Sequence, residues 1–273
     1  MKLNRLELDF FRNYAHVEAT FHPRVNLIYG DNAQGKTNLL EAIAYLSSAR
    51  SHRARYDREL IMLDQPQGYI KGEVDSRERT FILEAKLCRG KTRQLWSNGL
   101  RLKTAGELAG ILTTVLFCPE DLYLIREGAA ARRKFLDTAL CQLRPRYAAA
   151  LTEYNRLYEH KTRILRDSEE RPDLLAALPD FNEQMGRFGA VLIHYRAQFA
   201  QALGKYAAVH HRECSGGKET LEIFYQTVSS VTDPLGDLAV VTGQLREHME
   251  RHQMAERASR LCLSGPHKDD LSV

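Results

Sequence analysis

Leu3, Leu6, Leu8 and Phe10, then Val17, Ala19 and Phe21, alternate with polar residues, a period of two that predicts two edge strands at the start of the chain. The short apolar run Val25-Asn26-Leu27-Ile28-Tyr29, set against Gly30, predicts a third strand, buried. From Lys36 the period lengthens. Leu39, Leu40, Ile43 and Leu46 recur at helical spacing, and residues 38–47 hold no glycine or proline, so a helix follows the buried strand directly. Residues 69–104 return to a period of two, and Asn98-Gly99 is a strong two-residue hairpin signal, which together predict an antiparallel meander.

After Val115-Leu116-Phe117, the Pro119-Glu120-Asp121 segment opens a helical region that reaches about Glu213, broken near Pro145 and between Asp167 and Pro179. Within it Phe181, Met185, Phe188, Leu192, Tyr195, Phe199, Ala202 and Tyr206 are spaced alternately four and three apart, a heptad seam. Tyr147, Leu151, Tyr154, Tyr158 and Leu165 keep a looser version. Two arrangements satisfy this pattern: an antiparallel helical pair forming an arm, or two core helices of a compact helical lobe. Cys214-Ser215-Gly216-Gly217 then turns the chain into a strand over 221–225, and a last helix spans about 234–257.

The 273 residues are ample to bury a core, and 44% apolar with 27% charged residues is the make-up of an ordinary globular protein rather than a disordered chain. No run approaches the roughly 18 apolar residues of a membrane span, and the opening MKLNRLELDFFRN places charges where an export signal needs an apolar core. Cys88, Cys118, Cys141, Cys214 and Cys262 are odd in number and never form a Cys-x-x-Cys, so neither a disulfide framework nor a zinc site is signalled. The expectation is a cytoplasmic protein with reduced thiols and no membrane partner.

Gly30-Asp31-Asn32-Ala33-Gln34-Gly35-Lys36-Thr37 is the Gly-x-x-x-x-Gly-Lys-Ser/Thr pattern of a phosphate loop. The glycines let successive backbone N–H groups converge on a phosphate, and the following helix adds the positive end of its dipole. Lys36 would neutralise terminal phosphates, and the Thr37 hydroxyl would bind magnesium. The loop specifies a nucleotide, not a reaction. The nearest candidate for an acidic strand that would polarise water, Leu60-Ile61-Met62-Leu63-Asp64, follows the loop helix too closely and reads as a decoy, so no catalytic residue is identified.

Charge matters through its distribution, because 39 basic against 35 acidic residues leave a net of only +4. Arg50, His52, Arg53, Arg55 and Arg58 stand against Asp57 alone beside the nucleotide loop, a patch suited to a phosphate partner and also compatible with a solvated surface. Arg132-Arg133-Lys134 is a second run, next to Phe135-Leu136, which reads as buried.

Taken together these segments resemble one family, the RecF DNA repair proteins, which are related to SMC-type ATPase heads. The resemblance is nearly end to end. It rests on Phe11-Arg12-Asn13-Tyr14, on the phosphate loop continuing into Asn38-Leu39-Leu40-Glu41-Ala42-Ile43, and on Arg50-Ser51-His52-Arg53. It rests further on Phe117-Cys118-Pro119-Glu120-Asp121-Leu122, on Arg132-Arg133-Lys134-Phe135-Leu136-Asp137 and on Gly265-Pro266-His267-Lys268-Asp269-Asp270. The resemblance implies an α/β fold: a P-loop ABC-type ATPase head with an antiparallel β subdomain and a helical second lobe or short antiparallel arm. It implies an ATP-binding lobe over 1–117, a helical lobe and arm over 118–232, and a return to the head over 233–273.

It also implies ATP and Mg2+ bound by residues 30–37, with Arg12 and Asn13 facing the nucleotide and Arg50, His52, Arg53 and Arg55 as DNA contacts. Proteins like this form ATP-dependent homodimers and bind single-stranded, double-stranded or gapped DNA. They hydrolyse ATP slowly and work with RecR and RecO partners to help load RecA in recombinational repair, replication and the SOS response. Two departures stand out: Glu127-Gly128-Ala129 replaces a Gly-x-Pro, and His160-Lys161 replaces an Arg-Asn, which puts a turn and surface contacts in question. The family's Leu-Ser-x-Gly-Gln signature and its strand ending in paired acids do not occur before Val273, so the expectation is a fragment of a longer frame. The alternatives are a helical scaffold with a vestigial ATP site, or another P-loop NTPase.

Overall fold

The computed structural model describes residues 1–273, apart from the side chain of Glu120, which lies outside the described residues. The chain divides into two compact units, Met1–Phe117 with Cys141–Pro145, and Cys118–Leu140 with Arg146–Val273. Residues 233–273, expected to return to the ATPase head, group with the helices.

In the first unit, β1 (Lys2–Phe11) and β2 (Tyr14–Thr20) form a hairpin, and α1 (Lys36–Ser48) follows the phosphate loop. The meander comprises β3 (Gln67–Ser76), β4 (Arg79–Cys88), β5 (Gln94–Ser97) and β6 (Leu100–Arg101), with Asn98-Gly99 as its last turn. The six strands make one antiparallel sheet in the order β2-β1-β3-β4-β5-β6. β1 is therefore interior, not an edge strand as its alternation suggested, because β3 pairs with its free side. Left-handed backbone at Phe10 (φ 50) also shifts the alternation by one position. Phe11 enters the core with Leu6 and Leu8, while Phe10 is exposed.

α1 lays Leu39, Ala42, Tyr45 and Leu46 on the sheet against Leu6, Leu8, Ile70, Val74, Leu83 and Leu87. Leu40, expected on that face, is exposed. Gly72 of β3 makes the approach possible, since a Cβ there would come within 2.5 Å of Leu46 Cδ1. The predicted strand at 25–29 does not form. Val25, Leu27 and Tyr29 are exposed outside any strand or helix, as are Val115 and Phe117, because no strand among the described residues pairs with either segment.

The second unit holds α2 (Ala129–Leu143) up to Leu140, α3 (Pro145–Asp167) from Arg146 onward, α4 (Leu178–Cys214) and α5 (Leu238–Ser259), with the short pair β7 (Phe224–Gln226) and β8 (Asp270–Ser272). Ring contacts between Tyr147 and Tyr195 and between His160 and Phe181 show α3 and α4 running antiparallel. α4 buries more than one seam: beside Met185 and Leu192 it also buries Gly186, Gly189, Ile193, Ala197 and Ala200. Gly189 faces Leu245 of α5 and Pro266. α4 is thus a core helix with neighbours on two sides, the second of the two arrangements its periodicity allowed.

Buried charge organises this unit. Arg196, 3% exposed, donates to Asp137 of α2 (2.7 Å), to the Tyr147 hydroxyl (2.9 Å) and to Pro266 O (2.7 Å). Asp269, also buried, accepts from Thr227 (2.8 Å) and from Tyr225. Lys161 is not a surface residue: it is fully buried and paired at 2.7 Å with Glu256 of α5, whose other oxygen accepts from Leu263 N at 2.8 Å. Of the second basic run, Arg132 binds Asp270 through two nitrogens and Arg133 donates to Asp269 O. Leu136 is buried, but Phe135, expected buried beside it, is exposed. His267 Nε2–H donates to Cys262 O (3.1 Å), which leaves Nδ1 to accept from the Tyr154 hydroxyl (2.8 Å).

Two outcomes follow from these packings. Lys161→Ala leaves Glu256 buried without its cation and is expected to destabilise by about 3–5 kcal/mol in chemical denaturation, whereas replacing both partners by Met and Leu recovers most of that loss. Burial pushes the His267 pKa down to about 4 from an ordinary 6.5. Below 6.5 the unfolded chain therefore takes up a proton that the folded chain refuses, so stability from neutral His267 is present above 6.5 and is lost as pH falls towards 4. The stability advantage of the native chain over His267→Asn should shrink by about 2 kcal/mol between pH 7 and pH 5.

Candidate phosphate-binding site

The loop before α1 has the curled backbone that its sequence predicts, with Gly30 at φ 143, Ala33 at φ 65 and Gly35, the N-cap of α1, at φ 101. A side chain at Gly35 is excluded twice, by its left-handed backbone and by Asn13, whose Oδ1 would lie 2.7 Å from a Cβ. Lys36 turns back over the loop and donates to Gly30 O (2.8 Å) and Asp31 O (2.6 Å). Its ammonium is thereby held above the curl where phosphate charge would sit. No acidic residue stands in the first turn of α1, so nothing there opposes an anion at the helix N-terminus. Asp31, Asn32, Ala33, Gln34 and Thr37 are exposed.

A nucleoside triphosphate fits this loop: converging backbone donors, one cation and an open mouth are what a polyphosphate requires. Magnesium fits as well. It keeps most of its water and needs few protein ligands, and the exposed Thr37 hydroxyl in the first turn of α1 supplies one beside phosphate oxygens.

The Arg12 guanidinium is committed to Glu41 and Glu59. Arg12 sits in the β1–β2 turn at φ 55, and its guanidinium makes a two-pronged bond to Glu41 of α1 (2.8 and 2.9 Å) and a third bond to Glu59 O (2.9 Å). Its backbone N–H donates to Leu60 O, and neighbouring Ile61 bridges to Phe11. The Leu60-Ile61 run is therefore core under the hairpin rather than an acidic strand, and Asp64 ends it in a left-handed turn.

Glu41 is fully buried and carries a second arginine. Arg53 donates to its Oε2 at 2.6 Å, and the Ser51 hydroxyl donates to Oε1. Burial alone would raise the pKa of this carboxyl, but the hydrogen bonds from Arg12, Arg53 and Ser51 outweigh it and hold the value at about 2. The same Arg53 nitrogen donates to Asn38 Oδ1 (2.6 Å), and Asn38 Nδ2 donates to Asn13 Oδ1 (2.8 Å). Asn13 closes on Gly35.

The basic segment is thus divided. Arg53, though partly open to solvent, is tied to Glu41 and Asn38, whereas Arg50 is exposed, and Arg55 and Arg58 lie over the ring of Tyr56 at 5.3 and 4.6 Å. His52 is partly buried. Asp57, the acid within this run, is bound by Arg93 (2.8 Å) and Tyr45 (3.0 Å), so it does not neutralise the exposed arginines. Sequence reasoning singled out the arginines and missed their acceptor. The available signal was Glu41 itself, an acid one position from the apolar stripe of an amphipathic helix.

The sequence profile of the RecF/RecN/SMC N terminal domain matches residues 2–228. A DNA replication and repair protein RecF of Lachnoclostridium phytofermentans is 35% identical over 272 residues, covering 100% of this chain and 72% of that protein. The corresponding protein of Symbiobacterium thermophilum is 36% identical over 271 residues, with 99% and 72% covered. A solved structure described as the recombination mediator protein RecF with ATP in the RecFOR pathway matches with a TM-score of 0.90 at 31% identity, covering 99% of this chain and 72% of that one. Because these alignments take in essentially the whole chain, phosphate loop and helical unit alike, it belongs to the RecF family, whose fold is an ATPase head of SMC type.

Proposed function

We propose that this chain binds ATP and uses it to control a DNA contact in repair and replication. The observation that carries this reading is the curled loop at the acid-free N-terminus of α1, with Lys36 folded over it. Residues 30–35 would bind phosphate oxygens through backbone N–H groups, Lys36 would balance their charge, and Thr37 would hold a magnesium ion, which would supply further positive charge to the phosphates. The relative with ATP bound, 31% identical to this chain, supports ATP as the nucleotide.

DNA contact belongs to the exposed part of the basic segment, Arg50 and Arg55, with Arg58 beside them on Tyr56. Exposed arginines bind the phosphate backbone without reading base sequence, which suits a protein that selects DNA by structure, such as a gap between single and double strands. ATP-dependent pairing of two copies, slow hydrolysis, and work with RecO and RecR in loading RecA in the cytoplasm complete the proposal, on the strength of family membership and of relatives described within the RecFOR pathway.

Lys36→Ala is expected to abolish ATP-stimulated binding to gapped DNA in a fluorescence anisotropy titration; full retention would favour a scaffold with a vestigial site. Arg50→Ala combined with Arg55→Ala should weaken DNA binding equally across sequences and lower the slope of log affinity against log salt by about 2.

A further inference from the structure

Five side chains close a circuit around the start of α1. Glu41 binds Arg12 and Arg53 at 2.6–2.9 Å, Arg53 binds Asn38 at 2.6 Å, Asn38 binds Asn13 at 2.8 Å, and Asn13 follows Arg12 in the hairpin turn. The circuit's one buried member is its only anion, and its outer member, Asn13, closes on Gly35, where the phosphate loop meets α1.

We propose that Glu41 is a positioning residue for the phosphate loop. By holding Arg12 and Arg53 together it fixes Asn13 and Asn38, and through them the backbone at Gly35 that receives the phosphates. This inference rests on the reading of the loop as an ATP site.

The geometry favours this role over simple core stability. A carboxylate serving only to hold α1 on the sheet would need one cation, and Arg12 already supplies two bonds to Glu41 and a third to Glu59 O. Arg53 adds little to the anchoring of the hairpin. What it adds is a guanidinium nitrogen shared between the buried carboxylate and the amide of Asn38, one residue beyond Thr37. The basic segment is in this way connected to the nucleotide loop, so a phosphate that draws Arg53 outward would also loosen Asn38. By linkage, a bound nucleotide would then favour Arg53 staying on Asn38, which leaves the phosphate contacts to Arg50 and Arg55.

The test titrates the full chain with the fluorescent nucleotide mant-ATP, well below the melting temperature of each variant. Glu41→Gln keeps the shape and removes the charge, and is expected to weaken nucleotide affinity about tenfold. Asn38→Ala breaks the circuit at its outer edge without touching the buried carboxylate. It is expected to weaken affinity several-fold with Tm nearly unchanged, a split that a merely structural role would not produce. The double variant should bind no more weakly than Glu41→Gln alone, because both changes open one circuit. If Glu41→Gln fails to fold, Asn38→Ala decides by itself. Nucleotide affinities equal to the native chain, or losses that add in full, overturn the proposal while ATP binding lost only in Lys36→Ala leaves the ATP site standing. A native chain that binds no mant-ATP overturns both.

Discussion

A carboxylate taken wholly out of water must be met by enough positive charge and enough donors to replace its hydration. Glu41 imposes that demand at the centre of the nucleotide unit, and the arrangement around the loop is the answer to it. The demand draws in Arg12 from one hairpin and Arg53 from the segment after α1, two places far apart in sequence. With both seated, the hairpin turn, the helix N-terminus and the basic segment lose their independence. The left-handed backbone at Arg12 is tolerated because the guanidinium it presents makes three bonds there.

The helical unit applies the same constraint with the signs exchanged. Here the buried centre is the cation Arg196, and its partners arrive from α2, α3 and the segment around Pro266. Two of the motifs that carry the family resemblance, Arg132 to Asp137 and Gly265 to Asp270, meet here. Asp137, Arg133, Pro266 and Asp269 take part in one connected set of bonds around Arg196, and Arg132 with Asp270 forms a second pair between the same two motifs. Lys161 with Glu256 repeats the device between α3 and α5. Ion pairs of this kind contribute little net stability compared with well-packed apolar groups, but removing one member is costly, which makes them strict about which helix faces which.

Local patterning carried the sequence reading where neighbours are near in the chain. The meander, the Asn98-Gly99 turn, the phosphate loop and the breaks between the long helices depend on short-range spacing, and all are found where the spacing put them. It failed where a partner is distant. β1 became interior through β3, some sixty residues on, and the apolar run at 25–29 found no pairing strand, so neither outcome could be read from alternation. Phe10 and Leu40 were misplaced by a single backbone kink and by a helix face rotated towards Tyr45. At the site, the arginines were legible as charge but not as bonds: a basic residue that will bind a buried carboxylate and one that will only face solvent look alike in a list of residues. Lys161 shows the same limit from the other side.

The separation of partners along the chain also sets an order of events during synthesis. Sheet and loop of the first unit require only residues up to about 100, and can close while the remainder is still being translated. Arg196 is different. Its contacts to Asp137 and Tyr147 lie upstream, but Pro266 and Asp269 emerge some seventy residues later, and until then the future centre of the helical unit is an incompletely matched cation on a solvated helix. Until residues 266–269 are made, Arg196 has its upstream partners Asp137 and Tyr147 but not Pro266 O or Asp269, so the last bonds of the helical unit are formed only when the end of this segment arrives.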